Sequence, residues 1–296
     1  MPTTQQLIRD LADRVGPAVV GLGRGGRGGC GVVVEPGHVV TLRRNVRGEE
    51  VTVTFSDDRE VRATVLGLDP DLDLAVLSVD TADVTPVAWA PDEPIAIGTE
   101  LFALANPGGR GLRVTAGHAS AEGLSVRGRR GRLVNGVIEH TAPLPRGSGG
   151  GPLLDAEGRL VGLNAVRVDG GLILALPATA ARPRVEAILA GRPSRPRKLG
   201  VAIVPPRAAR RLRRSVGLPD RDGLLVRGVE AGSPADAAGL QRGDLIVAAG
   251  GTELRGVDDL YAVLDRDGTD DLALSIVRGS DAHELQIARD TGERTP

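Results

Sequence analysis

Few side chains in this sequence are equipped for covalent or acid–base chemistry. There is one cysteine, Cys30, and there are four histidines, His38, His118, His140 and His283. A thiolate at Cys30 would be a nucleophile, but no histidine or other base lies near it in sequence. Its glycine-rich setting predicts instead a small buried residue at a strand start. Ser148 sits in the run RGSGGGPLL (146–154). A hydroxyl there needs a base within hydrogen-bond reach; each histidine reads as a strand or turn residue, and a rewired pair with Ser148 as nucleophile is the alternative. Five arginines crowd PRAARRLRR (206–214). No aromatic residues interleave for base stacking, so the stretch predicts a solvated helix face rather than a nucleic-acid or acidic-lipid patch. A formal net charge of -1 gives no overall field toward either partner. No metal site and no cofactor is expected.

The elements that must position these residues are mostly strands. Short apolar runs recur at 18–22, 31–35, 38–42, 60–68, 73–79, 100–105, 159–168 and 172–177, with Gly, Pro or Asp between them. That pattern predicts an all-β barrel or sandwich. Aromatic residues are 1 % of the chain, namely Phe55, Phe102, Trp89 and Tyr261, so the core must be built from Val, Leu, Ile and Ala. Leu7, Ile8 and Leu11 predict a helix over 4–14, capped by Thr3 or Thr4 and ended by Gly16-Pro17. A second helix is expected over 178–190, and GRPSRPRK (191–198) reads as a linker. Strands mixed with helices at 207–215 and 257–265 then predict a separate small domain. The single cysteine excludes an intramolecular disulfide. The N-terminus lacks the basic-then-apolar layout of a signal peptide, and no run of about 18 apolar residues suggests a membrane span. The expected location is cytoplasmic, save where a misplaced start codon has removed a leader.

The order of several motifs resembles one family. RGSGGGPLLDAEGRLVGLNA (146–165) is similar to the nucleophile region of HtrA/DegP-type trypsin-like proteases, which reads Gly-Asn-Ser-Gly-Gly-Pro-Leu. Anchoring on Gly150-Gly151-Pro152-Leu153 puts Gly149 where that family has its serine, and Ser148 one position earlier. DPDLDLAVLSV (69–79) resembles the segment that carries the triad aspartate, which makes Asp73 its counterpart. GHVVTLRRNVRG (37–48) resembles the histidine segment, with Arg44 in the histidine's place. ELFALANPGG (100–109), VGPAVVGL (15–22) and GLILALPA (171–178) match further stretches in the right order. The resemblance implies a trypsin-like double β-barrel over 1–190. It also implies backbone donors of an oxyanion hole at Gly147 and Gly149. The triad would retain only Asp73, and an Arg44–Asp73 ion pair would stand where His and Asp pair.

After the linker, KLGVAIV (198–204) and DGLLVRGVEAGSPADAAGLQRGDLIVAAGGTEL (222–254) resemble an HtrA-type PDZ domain over 199–290, followed by a tail at 291–296. The resemblance implies that a peptide C-terminus adds as a strand beside Gly200, its carboxylate held by the turn Leu199-Gly200-Val201. Leu199, Val201, Ile203, Leu260 and Leu264 are the pocket candidates, with ordinary core packing the competing reading. The function expected is a pseudoprotease that binds peptides or protein C-termini. A working serine endopeptidase is the alternative, and a purely structural homo-oligomer subunit a third. Glycine offers no nucleophile, and a guanidinium of pKa above about 12 cannot shuttle a proton.

Overall fold

The computed structural model describes residues 2–23, 28–128, 132–192, 199–204, 206–215, 217, 221–264 and 271–288. Most of the expected linker and all of the tail fall outside them. The chain divides into two compact units, Met1–Ser194 and Arg195–Pro296.

The first unit is mainly β. It opens with α1 (Thr4–Val15), whose cap is reciprocal. Thr3 accepts from the Gln6 amide while the Gln6 side chain accepts from the Thr3 amide, satisfying two donors that the first turn leaves free. Leu11 and Val15 are the buried face of that helix. The chain turns at Gly16–Ala18 into β1 (Val19–Leu22), followed by β2 (Cys30–Glu35), β3 (His38–Leu42), β4 (Glu50–Thr54), β5 (Glu60–Asp69) and β6 (Leu74–Ser78). These close in the order β1-β2-β3-β6-β5-β4. A second barrel uses β7 (Glu100–Ala105), β8 (Arg113–Arg127), β9 (Leu133–His140), β10 (Pro152–Leu154), β11 (Leu160–Arg167) and β12 (Ile173–Pro177). Its order is β10-β11-β12-β9-β8-β7. Closure leaves neither barrel with an open edge. α2 (Ala178–Leu189) then packs Ala181, Val185 and Ile188 into the core.

Both barrels are filled as the composition requires. The buried set is Val, Leu, Ala and Ile, with Phe55 and Phe102 the two wholly enclosed aromatics. β4, β8 and β9 are not legible in the sequence. β8 is interrupted by Gly117 and Gly123 and shows three register shifts against β9, which breaks the period-two pattern.

The second unit holds a sheet ordered β13-β14-β15-β17-β18, from β13 (Val201–Val204), β14 (Leu224–Val229), β15 (Leu245–Ala249), β16 (Thr252–Glu253), β17 (Leu272–Arg278) and β18 (Asp281–Ile287). β16 pairs with β15 off that path. Its helices are α3 (Pro206–Ser215), α4 (Pro234–Ala237) and α5 (Val257–Leu264). The solvated face expected for 206–214 needs one correction. Arg213 is only 3 % exposed, because its place on α3 turns it inward, while Leu212 is half-exposed and Arg210 pairs with Asp222 at 3.1 Å.

Candidate functional site: the Asp73–Arg44–Gly149 cluster and a PDZ edge

Two short turns of the first barrel carry the charged half of the site. β3 ends in a single turn of 3-10 helix, Arg43–Asn45, which projects Arg44. Asp73 immediately precedes β6 and adopts a left-handed backbone with φ 55, a conformation that aspartate tolerates better than most residues. The two turns are tied together: the Arg43 amide donates to the Asp73 carbonyl at 2.7 Å, and the Arg44 amide to Asp73 Oδ1 at 3.2 Å. Arg44 Nη1 then lies 2.9 Å from Asp73 Oδ2. Among the described residues no hydrogen-bond donor is well aligned with that oxygen, which is itself shielded from water. The two observations agree if the guanidinium meets it as a charge rather than through a linear bond. The side chains are 30 % and 22 % exposed, so solvent screens the pair in part and its net worth is about 1 kcal/mol.

The other half comes from the second barrel. Arg44 Nη2 donates to the carbonyl of Ala165 on β11, so one side chain links both barrels. Gly149 faces this guanidinium. A Cβ at Gly149 would stand 3.8 Å from Arg44 Nη2, 3.6 Å from the Ala165 oxygen and 3.4 Å from Leu42 Cδ1. The structure thus brings Asp73, Arg44 and Gly149 together in that order, without a hydroxyl at the end of the line. The loop around Gly149 is held from below. Its carbonyl accepts from the Cys30 amide at 2.9 Å and from Asn45 Nδ2 at 2.8 Å. The amides of Gly147 and Gly149 donate to no acceptor among the described residues.

Ser148, next to Gly149, is engaged locally. It is 4 % exposed, and its hydroxyl donates to the Pro145 carbonyl at 2.8 Å. No histidine pairs with it among the described residues. His140 is fully buried, with Nε2 donating to Asn164 Oδ1 at 2.9 Å, and burial pushes its pKa down. His38 begins β3 opposite Ser78, and His118 and His283 are exposed on β8 and β18. Cys30 is buried, and desolvation pushes its thiol up to about 12, so at neutral pH it is not a thiolate. It donates to the Gly147 carbonyl at 3.4 Å, a supporting role beside the site. Asn45, Thr41 and Asn164 complete that support and were missed in the sequence. Asn45 Nδ2 reaches Thr41 Oγ1 at 3.0 Å, and Asn164 Nδ2 reaches the Gly151 and Pro152 carbonyls, each at 3.0 Å. Only the position of Asn45 next to Arg44 could have drawn notice.

In the second unit, β13 pairs with β14 alone and so leaves its other edge unpaired within the described sheet. Gly200 enters this strand with φ 75, and a Cβ there would fall 2.2 Å from Ser233 Cβ. Only glycine fits both demands. The Leu199 and Gly200 amides donate to no acceptor among the described residues. Val201 and Ile203 are half-buried beside the free edge, whereas Leu199, Leu260 and Leu264 lie within the core of this unit. No cluster of metal-ligating side chains occurs among the described residues.

Comparison with known proteins bears on both units. Residues 29–163 match the trypsin-like peptidase domain family, and residues 225–278 the PDZ domain family. A probable periplasmic serine endoprotease, DegP-like, of Rhizobium meliloti is 33 % identical over 84 % of this chain and 50 % of its own length. The chloroplastic Protease Do-like 1 of Arabidopsis thaliana is 29 % identical over 85 % of this chain and 60 % of its own. The chain therefore spans half to three-fifths of the length of these relatives. Among solved structures, the HtrA-type protease AlgW with tripeptide superposes with a TM-score of 0.72 and 27 % identity, covering 99 % of this chain and 100 % of its own. A serine endoprotease from Yersinia pestis shares the fold, with a TM-score of 0.75, 23 % identity and 97 % coverage of each chain. Relatives named as periplasmic overturn the expectation of a cytoplasmic location and point to the periplasm. That expectation rested on the N-terminal layout. Compartment is written in targeting segments, not in the folded domains.

Proposed function

Because the chain belongs to the HtrA/DegP family, a trypsin-like peptidase domain followed by a PDZ domain, we propose that it is a periplasmic pseudoprotease that holds peptides without cutting them. One observation carries this reading: a guanidinium, paired with Asp73, occupies the place between that carboxylate and Gly149. Attack on a peptide carbonyl needs an oxygen nucleophile and a base that takes its proton and returns it to the leaving amine. Gly149 supplies no side-chain atom, and Arg44 stays protonated at any pH the protein survives. Each loss alone removes several powers of ten in rate. The free amides at Gly147 and Gly149 remain available to a carbonyl oxygen, which supports binding in the cleft.

Peptide capture by the second unit follows from its open edge. A C-terminal segment adds beside β13, and the Leu199 and Gly200 amides receive its carboxylate. Val201 and Ile203 flank the added strand. Assembly into homo-oligomers is part of this proposal and is measured by sedimentation. The test of the central claim uses the purified chain. Casein should remain intact, and a fluorophosphonate probe should leave the protein unlabelled. Digestion that Ser148→Ala abolishes would overturn the proposal.

A further inference from the structure

The loop after β7 and the segment before Gly147 enclose a concavity of about 200 Å³ beside the degenerate triad. Arg110, Arg113 and Arg146 line it together with Pro107 and the backbone of Gly28 and Gly147, and none of its lining residues is acidic. Three like charges around one small space raise its potential, in a chain whose formal charge is only -1. Arg113 is anchored, with Nη1 donating to the Gly111 and Leu112 carbonyls at 3.2 and 3.0 Å. Arg110 and Arg146 are exposed and form no ion pair among the described residues. Guanidinium groups left without a counter-charge around one hollow suit a carboxylate, which an arginine fork takes through two parallel hydrogen bonds.

Position selects the source of that carboxylate. Gly147 lines the hollow and also lies two residues from Gly149, so it belongs to both the hollow and the triad cleft. Its φ of 84 and its amide, which meets no acceptor among the described residues, place a free donor between them. A polypeptide extended along Gly147–Gly149 brings a neighbouring side chain to the arginines. We infer that this hollow is a side-chain subsite for Asp or Glu of a peptide segment held in the cleft. The inference rests on the reading of the cleft as a peptide-binding site.

The test is fluorescence anisotropy of the full chain with a labelled, alanine-rich peptide carrying three central glutamates, and with its glutamine isostere. Both are amidated at the C-terminus so that the PDZ edge receives no carboxylate. The glutamate peptide should bind about tenfold tighter than the isostere, the scale of one or two charge-assisted bonds. Arg110→Ala and Arg146→Ala should each reduce that preference several-fold, and the double variant should remove it. Arg146→Lys should retain part of it, and Arg62→Ala, remote from the hollow, should leave it whole. Equal binding of the two peptides, no binding of either, or an undiminished preference in the double variant would overturn the inference. Cleavage of the glutamate peptide in preference to the isostere would support the subsite and sink the pseudoprotease reading instead.

Discussion

On the proposed reading, a single guanidinium, Arg44, takes a histidine's place beside Asp73 and alters what the surrounding atoms can do. Gly149 is not in a left-handed conformation, and a Cβ there would meet only ordinary contacts, so Gly149→Ser should fold without strain. That variant alone should stay inert, because Arg44 cannot accept the serine proton. Arg44→His combined with Gly149→Ser restores both a base and a nucleophile above an Asp73 already in position. The double variant should become labelled by a fluorophosphonate probe while each single variant does not. His140 makes a second prediction at this scale. Its folded pKa lies below the unfolded value of about 6.5 because burial disfavours the imidazolium. The unfolded chain therefore binds more protons in the window between the two values. The stability due to His140 is complete above about pH 6.5 and falls as pH drops toward the folded pKa, by up to about 1.4 kcal/mol per unit. Urea titrations across that window should show this slope, and His140→Gln should lose it.

At the scale of elements, the cleft exists because two closed barrels approach each other through residues without side chains. A Cβ on Gly21 of β1 would fall 2.1 Å from the Gly109 amide nitrogen and 2.6 Å from the Asn106 carbonyl oxygen. Backbone cannot yield as a flexible side chain does, so Gly21→Ala should cost about 3 kcal/mol, measured by urea unfolding. A second tie is the Arg132–Asp71 pair at 3.1 Å, with both side chains 8 % exposed. It fastens the start of β9 to the turn that carries Asp73. Neither tie is visible in the sequence, since glycines in strands and arginines near hairpins serve many structural purposes. The strands that frame the triad were legible, because β2, β3, β6 and β7 are continuous apolar runs. β8 and β9 were not, because most of their residues are exposed or only partly buried and their registers shift.

At the scale of the whole molecule, the two units hold separate apolar clusters, two in the first and one in the second. The buried residues of the first unit cluster between Leu11 and Ile188, and those of the second between Leu199 and Ile287. Within the second core, Arg278 holds Asp244 in a two-point fork at 2.8 Å per bond, with the carboxylate 1 % exposed. A fragment spanning residues 199–288 should therefore fold alone, with a cooperative melt, and should bind C-terminal peptides as the full chain does. Circular dichroism and peptide titration of that fragment measure both outcomes.

Residue order alone determined that this is a two-part, mainly β chain of the HtrA/DegP type, and it supplies the alignment from which Gly149 and Arg44 are proposed to stand at the nucleophile and histidine positions. Local pattern and motif suffice for that, because apolar period and turn residues act over a few positions. Only the tertiary structure decided that Arg44 spans from Asp73 to Ala165, that Ser148 is turned toward Pro145, and that three arginines from two distant segments share one hollow. The first and last of those facts depend on where barrel closure places residues about thirty to over one hundred positions apart in sequence, which no window along the chain contains, and the Ser148 contact depends on the path of the loop that closure fixes.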